Sequence, residues 1–316
     1  MKITVLDRCT VTNGDISFAP LEAVGEVRYF DVLPPEEIVS AIGDSDAVIV
    51  NKAKITDEIM ASCKNLRFVG LFATGYNNID IVSAKRRGIC VCNVPGYSTD
   101  SVTQHTFSLL LHFASRADDY ARSVANGDWE NASTFSYLSF PTSELKGKTL
   151  GIFGFGTIGR SVAAVALAFG MRVIAYVRHP ADFPGVEFVS RDELFARSDY
   201  LTLHCPLTDE TRHLICRETL AKMKPSAVII NTARGGVIEE EALCEALNEG
   251  KIAGAGIDVL DVEPMRQNHP YLRAKNCYIT PHVAWACVEA RERLVRLVAE
   301  NLKGFRDGNI INCVNM

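Results

Sequence analysis

No stretch of the 316 residues approaches the run of roughly 18 apolar residues that a membrane-spanning helix needs, so no membrane partner is expected. Neither sign of charge dominates. The 33 Lys and Arg against 38 Asp and Glu leave a formal net charge of −5, with no basic footprint for nucleic acid. The N-terminus lacks the basic and apolar regions of a secretory leader. It enters the apolar run Lys2-Ile-Thr-Val-Leu6 at once, which predicts a cytoplasmic chain. Cysteine itself is plentiful, at ten, but patterned cysteine is missing. Only Cys90 and Cys92 lie close together, and their spacing matches no zinc knuckle. No metal site is expected, and the thiols read as buried or incidental in a reducing compartment. Low-complexity tracts and flexible linkers are absent as well.

What is present is α/β alternation, in a chain longer than a single core usually supports. Apolar runs predict strands at 2–6, 27–30, 47–50, 67–71 and 89–92 in the first half. In the second half they predict strands at 149–153, 172–176, 200–204, 227–231, 255–258 and 277–280. Helical stretches alternate with them, 35–43 and 57–62 among them. The halves read as weak copies: Asp46-Ala-Val-Ile-Val-Asn51 parallels Asp199-Tyr-Leu-Thr-Leu-His204, each a strand running into a polar turn. A long helix over 98–126, with Phe107, Leu110, Leu111 and Ala114 on one face, is expected to join them. A last helix over 289–306 is expected to return to the first domain through Leu294, Leu297, Val298 and Leu302. The expected architecture is two Rossmann-like, doubly wound parallel-sheet domains with the active site in the cleft between them. Residues 1–97 with 290–316 would form the substrate-binding domain, and 98–289 the dinucleotide-binding domain.

The segment Leu150-Gly-Ile-Phe-Gly-Phe-Gly-Thr-Ile-Gly159 carries the sharpest chemistry. An apolar strand runs into Gly154, Gly156 and Gly159, followed by the small-residue helix Ser161-Val-Ala-Ala-Val-Ala-Leu-Ala168. Gly154 permits the tight turn, Gly156 lets backbone approach a pyrophosphate, and Gly159 lets helix pack on strand. The N–H groups of Thr157 and Ile158 and the helix dipole then face the phosphates.

Further motifs follow in order: Ala73-Thr-Gly-Tyr-Asn-Asn-Ile-Asp80, Asn93-Val-Pro-Gly-Tyr-Ser98, His204-Cys-Pro-Leu-Thr208, Asn231-Thr-Ala-Arg-Gly-Gly236, Gly256-Ile-Asp-Val-Leu260 with Glu263-Pro264, and Thr280-Pro-His282. Together with the glycine turn, they make the chain resemble the D-isomer-specific 2-hydroxyacid dehydrogenases over essentially its full length. The resemblance implies reversible hydride transfer between a nicotinamide and C2 of a small 2-oxo acid. Arg234 would hold the carboxylate and polarise the carbonyl. His282 would carry the proton, and Glu263 would stabilise its imidazolium. Lys52, Thr74 and Gly75 would join Arg234 and His282 around the substrate. Cys205, Pro206, Thr211, Thr232 and Ala233 would line the cofactor, with Asp258 on the nicotinamide carboxamide.

Where relatives using NAD commonly carry an acid for the ribose hydroxyl, this chain has Val177 followed by Arg178 and His179. That departure favours NADP, with NAD as the alternative. Pro281-His-Val-Ala-Trp285 resembles the glycerate dehydrogenases, also called hydroxypyruvate reductases, which points to hydroxypyruvate or glyoxylate and to D-glycerate or glycolate. Alternatives within the resemblance are D-lactate-type or phosphoglycerate-type dehydrogenases, or a nucleotide-sensing corepressor-like binding protein. Relatives imply a homodimer, with the aromatic segment 129–140 as its arm. Gln104 stands where relatives often carry an acid.

Overall fold

The computed structural model describes residues 1–180 and 182–316. It divides into two compact units, Met1–Ser98 with Trp285–Met316, and Thr99–Ala284. The first holds five parallel strands: β1 (Lys2–Val5), β2 (Glu26–Tyr29), β3 (Ala47–Val50), β4 (Phe68–Leu71) and β5 (Cys90–Cys92), in the order β2-β1-β3-β4-β5. The second holds seven: β6 (Thr149–Phe153), β7 (Arg172–Tyr176), β8 (Val186–Phe188), β9 (Tyr200–Leu203), β10 (Val228–Asn231), β11 (Gly254–Ile257) and β12 (Cys277–Ile279). Their order is β12-β11-β10-β9-β6-β7-β8, again all parallel. Strands buried on both faces must be apolar throughout, which is why Ala47–Val50 and Val228–Asn231 are solvent-free along their whole length.

Each sheet reverses direction once, between β1 and β3 in the first unit and between β6 and β9 in the second. Loops leaving the carboxyl ends at such a reversal diverge and open a crevice. In the first unit these loops start at Asp7 and Asn51, and in the second at Gly154 and His204. The helix Val288–Arg306 buries Leu294, Val295, Val298 and Leu302 in the first unit's core, alongside Ile3, Ile49 and Phe68.

Three expectations need correction. The single helix over 98–126 is two helices, Thr99–Ser115 and Ala117–Ala125, because Arg116 adopts a left-handed φ of 54° that breaks the hydrogen-bond ladder. The break is held by Arg116 Nε donating to Asp119 at 2.6 Å and by His112 Nδ1 meeting Asp118 at 3.1 Å. The return to the first unit falls at 284/285 rather than 289/290, since Trp285 and Cys287 pack on that unit's core. Strand β8 was not anticipated. Its three residues lie at a sheet edge with Glu187 exposed, too short and too polar for an apolar run to mark it.

Candidate active site

The glycine turn between β6 and the helix Thr157–Ala168 has a separate steric reason at each glycine. Gly154 has φ +95°, and a Cβ there would lie 2.7 Å from His204 O and 2.9 Å from Cys205 N. A Cβ on Gly159 would meet Gly154 O at 2.3 Å, so the helix sits directly on the turn. Gly156, at the helix N-cap, faces open space within 4 Å, with Thr157 exposed and Ile158 half-buried beside it. A twelve-residue helix N-terminus with a clear approach suits a dinucleotide pyrophosphate.

The neighbouring loops frame this turn. Thr211 Oγ1 donates to Pro206 O at 2.7 Å and accepts from Thr208 N at 2.8 Å, so its hydroxyl closes the 206–211 loop. Cys205 is buried, and burial pushes its thiol up to about 11. The His204 ring is enclosed, its Nε2 has no partner among the described residues, and burial pulls the imidazole down to about 4. After β7, Val177 is half-buried while Arg178 and His179 are exposed. Arg178 pairs with Glu210, a partner that reading along the chain did not anticipate, because 32 residues separate them.

Three adjacent strands, β10, β11 and β12, lead at one carboxyl edge into the segments that carry Arg234, Glu263 and His282. After β10, the buried Asn231 shapes the turn: its Oδ1 accepts from Ala233 N and its Nδ2 donates to Arg234 O, both at 3.0 Å. Thr232 Oγ1 meets Thr106 Oγ1 at 3.1 Å, and the Arg234 side chain stands exposed with Nη1 on Ala233 O at 2.7 Å. Gly235 must be glycine, since a Cβ would come within 2.2 Å of Asp261 N and closer still to Leu260 C. That contact presses the Arg234 turn against the segment leading to Glu263.

After β12, His282 adopts φ 56° and its Nδ1 meets Glu263 Oε2 at 2.6 Å, while Glu263 Oε1 accepts from Leu260 N at 3.0 Å. Both side chains are about seven-tenths buried, with 27% and 31% exposure. A histidine fixed at Nδ1 by a carboxylate presents Nε2 as its free ring nitrogen.

The Asp258 side chain is fully buried, Oδ1 accepts from Thr280 Oγ1 at 2.6 Å and Val283 N at 2.9 Å, and Oδ2 accepts from Ala284 N at 2.9 Å. Both oxygens therefore bind the loop that carries His282 and help to fix that loop. His105 joins the same network with Nε2 2.9 Å from Thr280 Oγ1 and 3.5 Å from Asp258 Oδ1. A half-buried histidine on an apolar helix carries no signal of a partner 175 residues away.

In the first unit, Lys52 is exposed on the loop after β3, and the loop's shape comes from Asp7. Asp7 Oδ1 accepts from Asn51 N at 2.9 Å, and Oδ2 from Lys52 N at 2.7 Å and Ala53 N at 2.6 Å. Burial pushes this carboxyl above the usual range despite the three donors. Asp7 was also missed, although its place directly after the first strand was a usable signal. After β4, Thr74 Oγ1 donates to Val94 O at 2.7 Å and Thr74 O accepts from Asn93 Nδ2 at 2.6 Å, which anchors the turn that includes Gly75.

Residues 107–284 match the profile of the D-isomer specific 2-hydroxyacid dehydrogenase NAD-binding domain. The chain is 42% identical to a hydroxypyruvate reductase of Blautia hydrogenotrophica over 321 aligned positions, covering all of both proteins. It is 37% identical to a glycerate dehydrogenase of Methylorubrum extorquens over 289 positions, 91% of each. Among solved structures, an acyclic imino acid reductase in complex with NADPH and D-Arg superposes with a TM-score of 0.88 at 31% identity, over 99% of this chain and 100% of that one. A profile match over more than half the residues and relatives alike from end to end carry one conclusion: the chain belongs to the D-isomer-specific 2-hydroxyacid dehydrogenase family.

Proposed function

We propose that this protein reduces hydroxypyruvate or glyoxylate to D-glycerate or glycolate, reversibly, with NADPH preferred over NADH. The observation that carries the reading is the 2.6 Å contact of His282 Nδ1 with Glu263, set at the same sheet edge as the exposed guanidinium of Arg234. The bound nicotinamide supplies the hydride that reaches C2. Arg234 holds the substrate carboxylate and draws electron density toward the carbonyl oxygen. His282 Nε2 delivers the proton to that oxygen, and Glu263 keeps the ring oriented. The backbone at Thr74 and Gly75, with Lys52 nearby on its own loop, is assigned to substrate binding.

NADPH is preferred on the missing acid at Val177 and the cation at Arg178. The Arg178–Glu210 pair favours a second reading, in which the guanidinium is occupied and NADH serves as well. Exposed Trp129, Phe135 and Leu138 support a homodimer built through that arm. Among the described residues no helix is long and apolar enough to cross a membrane. The scattered, unpatterned cysteines support a cytoplasmic setting.

The test is oxidation of NADPH and of NADH by the purified protein with hydroxypyruvate and with glyoxylate. Turnover abolished by Arg234→Gln is expected. Tight NADPH binding without turnover on either acid would overturn the reading in favour of a binding role.

A further inference from the structure

Outside the reactive edge, the first unit gathers three thiols that the sequence scatters. Cys90 and Cys92 lie two apart on β5 and so share one face. The C-terminal segment runs antiparallel along this edge strand, with Cys313 opposite Cys92. Val314 N donates to Val91 O at 2.9 Å and Asn93 N to Asn312 O at 3.2 Å. Those bonds flank the Cys92–Cys313 pair, making it the non-hydrogen-bonded kind in which side chains approach most closely. The side chain of Asn315 completes the attachment, with Oδ1 accepting from Val91 N at 2.9 Å and Nδ2 donating to Ile89 O at 2.8 Å.

The three sulfurs converge. Cys90 Sγ lies 3.6 Å from Cys92 Sγ and 3.6 Å from Cys313 Sγ, and all three lie within 4.8 Å of one another. Zinc–sulfur bonds of about 2.3 Å in tetrahedral geometry place sulfurs about 3.8 Å apart, close to this spacing. Cys90 and Cys92 are buried while Cys313 is partly exposed, so an ion can enter from one side. The geometry points to a structural site for one thiophilic divalent cation of the zinc kind, held by the sulfurs of Cys90, Cys92 and Cys313. A divalent ion leaves less net charge in this buried place than a monovalent one against three thiolates. Asn315 Oδ1, 3.2 Å from Cys313 Sγ, already accepts from Val91 N, which leaves the fourth position to water. The ion would tie the C-terminal segment to the sheet edge.

The full-length protein, reduced, stripped with a chelator and kept anaerobic, is titrated with Cd(II) and read by sulfur-to-metal charge-transfer absorption. One equivalent is expected, with the intensity of three thiolates. Cys313→Ala, at a partly exposed position, is expected to weaken binding about 100-fold and remove about a third of the band. Cys90→Ala is expected to do the same and stands in if the first variant folds poorly, as judged by circular dichroism. Cys9→Ala, at an exposed cysteine outside the cluster, is expected to titrate like the parent. Zn(II) should raise Tm for the parent and not for Cys313→Ala. No saturable band, or a band unchanged in both cluster variants, overturns the site.

Discussion

At the carboxyl edge of the first sheet, polar side chains turn inward onto their own loops: Asp7 gathers the N–H groups of 51–53, and Thr74 bonds Val94 O. At the same edge of the second sheet the pattern is inverted. There Asn231 and Asp258 are buried anchors, and the side chains they position, Arg234 and His282, project outward. Both edges use a buried polar residue to shape a loop, but the first presents mainly backbone and the second presents reactive side chains. A parallel sheet can thus be made to bind or to react by changing which group points out.

The comparison is broken most directly at the projecting side chains. His282→Gln removes the proton carrier while keeping a similar shape, and kcat for hydroxypyruvate reduction is expected to fall about 10³-fold. Glu263→Gln should retain more activity, with kcat lowered about tenfold as the ring loses the acceptor that orients it. Steady-state kinetics checks this, and an unchanged kcat would remove Glu263 from its proposed role.

The next effect is on stability and belongs to the second unit. His204 is buried neutral, at about 4 against an ordinary 6.5. A histidine with a depressed value binds fewer protons folded than unfolded between those limits. Its contribution is therefore intact above pH 6.5 and lost as pH falls toward 4, by about 3 kcal/mol. Chemical denaturation across this range should show the loss, and His204→Phe should flatten it. Equal slopes in the two proteins would falsify the assignment.

The anchors sharpen the contrast. Asp258→Asn puts an amide donor where three donors already point, and kcat is expected to drop roughly tenfold as the His282 loop shifts. Asp7→Asn should instead raise KM by about the same factor with kcat nearly kept, because only binding geometry changes. Steady-state kinetics on both variants reads this split. If Asp7→Asn lowers kcat as much as Asp258→Asn does, the division of labour fails. The smallest effect is at the surface: Glu210→Ala should raise the NADPH over NADH ratio of kcat/KM by no more than about fivefold, the range of an exposed ion pair.

Local chemistry was legible where one stretch of chain carries it. The glycine turn could be read residue by residue, since the positive φ of Gly154 and the clash of a Cβ on Gly159 with Gly154 O arise within the strand–turn–helix unit. Eleven strands, the fully buried β3, β4, β6 and β10 among them, could be read as well, because solvent exclusion on both faces demands continuous apolar runs. Arg234, Glu263 and His282 were identified by motif, and their contact geometry was not.

The contacts that the sequence did not show join residues across long separations. Asp7 reaches 51–53, His105 reaches Thr280, and Arg178 meets Glu210. Asp258 was noticed, but its role depended on which donors the 280–284 loop would bring to it. Cys313 is 223 residues from Cys90, so spacing could not unite them. Pattern and composition determined the two α/β units and their strands, because periodicity and steric need are local, while motif resemblance singled out Arg234, Glu263 and His282 as candidates. Which groups are anchors, which project, and which thiols meet was decided only by the tertiary structure, because hydrogen bonds and ligand sets are closed by loops that pairing of distant strands brings together.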